Sequence, residues 1–229
     1  MDMELVFCSE FVPSRIVPEE NSQSTLSLVR VLNRHERKPS PRSGHACVAD
    51  AANLYLYGGF CNHAGPNNSL SMIYPELWVY NFSTCRWTLI ESRDVPDTGA
   101  SAALRLWNRK LYLYGGTGYP FGLKMSNALY ICHIDDGFRW EKIRVSNSSD
   151  GPREAYGQGV TCYRGDMYVF GGAVGLNLDP INDLHRLSFE KSGIHCWQQL
   201  HGTIEHQELH GRYKTEIIVD PACDRYARC

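Results

Sequence analysis

Leu54-Tyr55-Leu56-Tyr57-Gly58-Gly59 runs four bulky apolar and aromatic residues into a diglycine, and the same run returns twice along the chain. It comes back as Leu111-Tyr112-Leu113-Tyr114-Gly115-Gly116 and as Met167-Tyr168-Val169-Phe170-Gly171-Gly172. Gly58, Gly115 and Gly171 stand 57 and 56 residues apart. Bulky aromatic and branched residues in a short run favour a strand covered on both sides. The glycines permit positive φ and close backbone approach where that strand ends. A period of this length built from short strands indicates a β-propeller, one four-stranded blade per repeat. The expected fold class is therefore all-β.

Three further signals keep the same period. Ahead of each diglycine strand lies a strand rich in small residues, near 45–49, 100–104 and 156–161, with Ala46, Ala102, Ala103, Gly157 and Gly159. That composition suits the innermost strand, where converging blades leave least room. A third strand follows each diglycine after a loop, near 77–80, 128–131 and 184–187. The fourth carries a tryptophan: Trp87, Trp140 and Trp197, spaced 53 and 57 residues. A large indole on the outer strand is expected to pack between neighbouring blades, burying the area that holds a repeat array together.

The chain thus divides into an N-terminal extension, 1–40, and repeats at 41–97, 98–151, 152–210 and 211–229. Within the extension, residues 27–32 read as an edge strand able to latch the ends of a ring. The last repeat starts at Gly211-Arg212-Tyr213 and runs through Ile217-Ile218-Val219. Its diglycine strand is not found in Asp224-Arg225-Tyr226-Ala227-Arg228-Cys229. The array amounts to about three and a half blades, an incomplete ring against the roughly four to eight of a closed one. Its open blade faces are association liabilities. A shortened form, an incomplete reading of the gene or an excised piece is the favoured explanation, ahead of closure by self-association.

With 23 Lys+Arg against 25 Asp+Glu, the net charge is −2, so no bulk charge recruits nucleic acid or a membrane surface. No apolar stretch is long enough to span a bilayer. Met1-Asp2-Met3-Glu4 lacks the basic start of a secretory signal. Nine scattered cysteines with no Cys-x-x-Cys pair read as free thiols in a reducing compartment, several buried as small hydrophobes. Cytoplasm or nucleus is expected. The glycosylation patterns at Asn67, Asn81 and Asn147 then carry no weight.

Strand parity locates a binding face. The residues leading into strand one and the loops after each diglycine lie at the same end of the blades. Those loops, 60–75, 117–126 and 173–181, are long, and recognition concentrates in long loops on a rigid scaffold. The lead-ins carry Arg42, Arg153 and Arg212 at matching places, with Asp97 in repeat two. Converging arginines could clamp a carboxylate through paired hydrogen bonds, as in capture of a peptide C-terminus. They could equally bond carbonyls and staple the array. His45 and Tyr156, three residues beyond their arginines, could line the same pocket, although core packing accounts for both.

Several stretches together resemble the kelch-repeat family, and within it the kelch domain-containing protein 10 family. They are Val29-Arg30-Val31-Leu32-Asn33-Arg34, Pro41-Arg42-Ser43-Gly44-His45, Gly115-Gly116-Thr117-Gly118-Tyr119-Pro120-Phe121-Gly122 and Asn182-Asp183-Leu184-His185. The likeness runs from about residue 28 to 220. It implies a six-bladed propeller followed by a C-terminal box that docks elongin B/C and cullin-2. It implies the role of a ubiquitin-ligase substrate receptor for C-terminal degrons, with client-binding arginines at the lead-ins. The later blades and the cullin-binding tail are not recognised in this sequence, so cullin-2 and elongin B/C are expected partners of the full-length family rather than of this chain. The expected partners here are client C-terminal peptides.

Other chemistry finds little support. Gly116-x-Gly118 is followed by Pro120 and no helix, unlike a phosphate loop. His206-Gln207-Glu208-Leu209-His210 has Gln207 where a zinc protease needs its glutamate. No cofactor and no metal site is expected, and the chain is read as a binding module, not an enzyme. A kelch-type enzyme is the alternative, but its loops should bring acid–base or metal residues together; Cys61, His63, Lys124 and Asp179 are a thin set. Cytoskeletal binding is a further alternative without a specific residue in its favour.

Overall fold

The computed structural model describes residues 5–8, 37–65, 68–189, 195–200 and 216–219. The chain opens with β1 (Leu5–Cys8). The first blade comprises β2 (Ser43–Ala49), β3 (Asn53–Gly65), β4 (Asn68–Ile73), β5 (Leu77–Asn81) and β6 (Arg86–Ile90), ordered β2-β3-β5-β6 with β4 added to β3. The second is β7 (Ala103–Trp107), β8 (Lys110–Tyr114), β9 (Leu129–His133) and β10 (Arg139–Lys142). The third is β11 (Gly159–Tyr163), β12 (Asp166–Phe170), β15 (Leu184–Phe189) and β16 (His195–Leu200); a small hairpin, β13 (Ala173–Val174) with β14 (Asp179–Pro180), projects from it. All pairings within the sheets are antiparallel. Each blade is a meander, and the expected all-β propeller architecture is observed, with three blades among the described residues. The edge-strand signal at 27–32 lies outside the described residues.

Inner strands β2, β7 and β11 lie beside one another in order. β17 (Glu216–Val219) continues that series next to β11, where strand one of a fourth blade belongs, and pairs antiparallel with β1. Strands β7 and β11 begin three residues later than their small-residue runs suggest. Just ahead of them Ser101 (φ +50°) and Gly157 (φ +69°) take positive φ, as Gly44 (φ +62°) does within β2. Those two residues link neighbouring blades around the axis. Ser101 N–H donates to Gly44 O at 2.7 Å, and Gly157 N–H donates to Ser101 O at 2.8 Å.

Alternation along the strands divides each sheet into two faces. In blade one, Tyr55 and Tyr57 share a face with Ala46, Val48, Leu77 and Val79, and that face meets Leu104, Leu111, Leu113, Cys132 and Trp140 of blade two. Tyr112, Tyr114, Leu129 and Ile131 of blade two meet Val160, Met167, Val169, Leu187 and Trp197 of blade three. The outer-strand indoles therefore work as the periodicity suggests. Trp140 reaches back to Tyr57 with ring centroids 5.5 Å apart, and Trp197 reaches back to Tyr114 at 5.8 Å. Trp87 holds the equivalent position in blade one, on the opposite face from Tyr57, where it packs against Trp78 and Tyr80. Cys47, Cys61, Cys85, Cys132, Cys162 and Cys196 are free thiols, as read from the sequence. Burial pushes the Cys132 thiol up to about 12 and the Cys162 thiol up to about 11, although nearby Arg105 pulls the latter down.

The diglycines fix how closely the blades approach. All six residues have positive φ, +75°, +69° and +67° at Gly58, Gly115 and Gly171 and +99°, +92° and +101° at Gly59, Gly116 and Gly172. The N–H of Gly59 donates to Gly99 O, and that of Gly116 donates to Ala155 O at 3.2 Å. Each bond ties the end of strand two to the lead-in of the next blade. A Cβ at Gly58 would lie 2.0 Å from Gly99 O, so no side chain fits there. Gly137 has a similar φ of +62° but open space around it. Gly137→Ala should therefore cost only the conformational penalty, about 1–2 kcal/mol. Gly58→Ala should cost about 4 kcal/mol or more, because two blades must also move apart. Urea unfolding of the two variants checks the difference.

Candidate functional site

At the end of the blades where strand two finishes, lead-ins and loops pair as strand parity requires. Ser43 pairs with Phe60, Ala100 with Thr117, and Tyr156 with Ala173. Two of the three expected loops are more regular than loops. Residues 60–65 continue β3 and 68–73 pair back on it as β4, and the third segment forms the β13–β14 hairpin. In each, the chain keeps satisfying its own backbone groups after the diglycine turn.

The second loop, 117–126, folds on itself through Gly118 N–H to Lys124 O at 2.8 Å and Gly122 N–H to Thr117 Oγ1 at 3.1 Å. Its Phe121 bridges the blades: the ring lies 5.3 Å from Phe60 of blade one and 4.8 Å from Tyr156 of blade three. Tyr156 O–H donates to Gly175 O at 2.8 Å, and Gly175 N–H reaches Met125 Sδ. A Cβ at Gly122 would meet Gly175 O at 2.6 Å, so the second and third loops touch backbone to backbone. Segments from three blades thus form one continuous face.

That face carries most of the exposed large hydrophobics. Among the described residues, the exposed large hydrophobics are Met72, Phe82, Tyr119, Leu123, Leu176 and Leu178. All except Phe82 project from the segments after the diglycines, at exposures of 46% to 64%. Phe82 sits on the β5–β6 turn at the other end. Isolated surface hydrophobics are ordinary, but segregation at one end marks a contact surface.

The five residues singled out from the sequence are distributed differently. Arg42 is buried, with a side chain 3% exposed. Its guanidinium donates to Ser40 O at 3.0 Å, Gly58 O at 3.1 Å and Glu76 Oε1 at 2.6 Å, and it lies 4.1 Å over the Tyr74 ring. Its reading as a direct client contact is corrected: it fastens the diglycine turn to the start of strand three. Arg153 is 59% exposed and pairs with Asp183 at 2.8 Å. Tyr156 is fully buried, and His45 is exposed on β2 beside an axial cavity. Arg212 lies outside the described residues.

Nor do Arg42 and Arg153 occupy matching places. Ala46 opposes Tyr57 and Gly159 opposes Phe170, so Arg42 is level with Ala155, two residues later than Arg153. Both nonetheless find the carboxylate just before strand three of their own blade, Glu76 or Asp183. Each side chain is neutralised where it stands, and the two are not joined in one clamp. The signal that sequence reasoning passed over is an acidic residue placed directly before strand three.

The inner strands enclose an axial cavity of about 380 Å³, open to solvent and lined by Gly44, His45, Cys47, Ser101, Arg105 and Gln158 among others. A second hollow of about 360 Å³ lies between blades two and three, beside Asp150, His185, Trp197 and Gln198. Burial holds the His185 imidazole below its usual range, with Asp183 and Arg153 opposing each other's influence.

A family model described as the KLHDC2/KLHL20/DRC7 Kelch-repeats domain matches residues 22–220. Kelch domain-containing protein 10 of Xenopus tropicalis is 36% identical over 197 residues, covering 83% of this chain and 46% of the relative. Kelch domain-containing protein 2 of Mus musculus is 28% identical over 170 residues, covering 71% and 39%. The chain spans about half the length, or less, of these relatives. The solved structure of YjhT superposes with a TM-score of 0.57 at 16% identity, over 76% of this chain and 54% of that one, a likeness of fold.

The arginine geometry gives a direct expectation. Arg42→Ala strands the carboxylate of Glu76 and the carbonyl of Gly58, and should cost about 2–3 kcal/mol of stability, less than a fully buried pair because Glu76 keeps some water. Arg153→Ala, at an exposed pair, should change stability by no more than about 0.5 kcal/mol. Chemical denaturation measures both.

Proposed function

The chain belongs to the kelch-repeat family, and on that premise we propose that it is a protein-interaction scaffold gripping a peptide segment of a partner on its diglycine-loop face. The observation that carries this reading is the gathering of Met72, Tyr119, Leu123, Leu176 and Leu178 at one end of three fused blades. A rigid face with exposed apolar anchors suits a peptide whose side chains bury against it, and a polar surround sets orientation.

The finer proposal follows the resemblance to kelch domain-containing proteins 10 and 2. The client segment is a C-terminal peptide, and the protein serves as the substrate-recognition part of a cullin-2 RING ubiquitin ligase. Arg153 is the exposed lead-in arginine available to a client carboxylate, exchanging its partner Asp183 for the ligand. Arg42 supports the turn from beneath. Docking of elongin B/C and cullin-2 is the work of a C-terminal box in that family, so client binding and ligase assembly are separate expectations.

Titration with short peptides selected for binding from a library with free C-termini tests the grip. Leu176→Asp should weaken binding at least tenfold, by placing a charge where an apolar anchor docks. Arg153→Ala should weaken it about tenfold, the worth of one charge-assisted hydrogen bond of roughly 1.5 kcal/mol, with the fold unchanged. Equal affinity in both variants contradicts the proposed face. Co-purification with cullin-2 and elongin B/C tests the ligase role on its own.

A further inference from the structure

Two buried hydroxyls hold the backbone beneath the apolar tips of the second and third loops. Thr117, fully buried, opens the second loop directly after Gly116. Its Oγ1 accepts the Gly122 N–H at 3.1 Å and donates to Gly118 O at 3.2 Å. Tyr156, also fully buried, donates its O–H to Gly175 O at 2.8 Å, at the turn of the β13–β14 hairpin. Each bonded glycine directly precedes an exposed leucine. Gly122 precedes Leu123, 59% exposed, and Gly175 precedes Leu176, 64% exposed. Among the described residues these are the two most exposed large hydrophobics.

The two glycines abut. A Cβ at Gly122 would fall 2.6 Å from Gly175 O and 3.4 Å from Leu176 Cα. The backbones that carry Leu123 and Leu176 therefore run side by side, one from blade two and one from blade three. Gly175 is held from two directions: Tyr156 bonds its carbonyl, and its own N–H donates to Met125 Sδ of the second loop at 3.3 Å. Below the contact, the Phe121 ring stands edge-on to Tyr156 at 4.8 Å. Apolar surface left in water favours collapse of a loop tip onto itself. Pinning the glycine before each leucine opposes that collapse and fixes where the side chain projects.

A contact surface ordered before its partner arrives loses less entropy on association. A few apolar anchors also carry most of the binding energy of an interface. We propose that Thr117 and Tyr156 are positioning residues: by fixing Gly122 and Gly175 they set Leu123 and Leu176 as one paired anchor for a large apolar side chain of the partner peptide. The inference rests on the peptide-receptor reading. It adds the groups that pre-form the anchor and the class of side chain the anchor takes. Neither hydroxyl touches the peptide. Each acts through the glycine it bonds and the leucine that follows, so Tyr156 serves the face from beneath.

A double-mutant cycle on the full chain separates positioning from plain stability. Its probes are the peptides that the wild-type chain retains from the library with free C-termini. Leu176→Ala should weaken their binding by about fivefold or more. Tyr156→Phe keeps the ring against Phe121 and removes only the hydroxyl. It should weaken binding by about fivefold, with a melting temperature lowered by no more than about 4 °C. Adding Tyr156→Phe to Leu176→Ala should cost less than about a further twofold, because the hydroxyl acts through that leucine. A larger further loss, or unchanged affinity in Tyr156→Phe, overturns the inference; weakened binding in Leu176→Asp then still supports the receptor face. Should Tyr156→Phe melt lower than stated, Thr117→Val with Leu123→Ala runs the same cycle under the same criteria. If the wild-type chain retains no peptide, the receptor reading and the inference fail together.

Discussion

The close approach of each diglycine to the next blade's lead-in is the constraint on which the other features depend. Gly59 and Gly116 donate to backbone carbonyls of the following lead-in, and the Cβ that any other residue would bring at Gly58 collides with Gly99 O. Once that approach is made, the geometry of the rest follows. Tyr57 and Tyr114 come within reach of the Trp140 and Trp197 rings, and the two apolar clusters close between sheets. Ser101 and Gly157 then bridge neighbouring inner strands around the axis. In a repeat array, such nearest-neighbour contacts carry the stability that no single blade could supply.

The same constraint places the candidate interaction face. Chain leaving a diglycine has been turned outward at a fixed distance from the next blade, so three successive segments emerge side by side and touch. Phe121 fills the space between Phe60 and Tyr156, and Gly122 abuts Gly175 O. The apolar tips of those segments have nowhere to bury within the described blades. A rigid base with an apolar rim and an open, polar axial cavity is well suited to holding an extended segment of another protein.

The sequence carried the architecture plainly because its signals were periodic and came from demanding positions. Only glycine suits the diglycine turns, and only a large ring spans from an outer strand to the neighbouring blade. Those requirements leave fixed residue types at fixed spacing. The site was less legible. Arg42 and Arg153 look equivalent by motif, but β-register separates them by two places and each closes on a carboxylate of its own blade. Side-chain length absorbs that offset, so spacing alone conceals it. The β3–β4 and β13–β14 hairpins were equally hard to foresee, since their pairing depends on where the diglycine aims the chain.

Amide hydrogen exchange at Gly59 and Gly116, read residue by residue in the folded chain, tests the coupling of the blades most directly. If these bonds hold the array together, both amides exchange only with global opening, as slowly as the core amides of β8. Exchange as fast as at the exposed turn residue Gly137, while β8 stays protected, would mean the blades are held independently of the diglycine contacts.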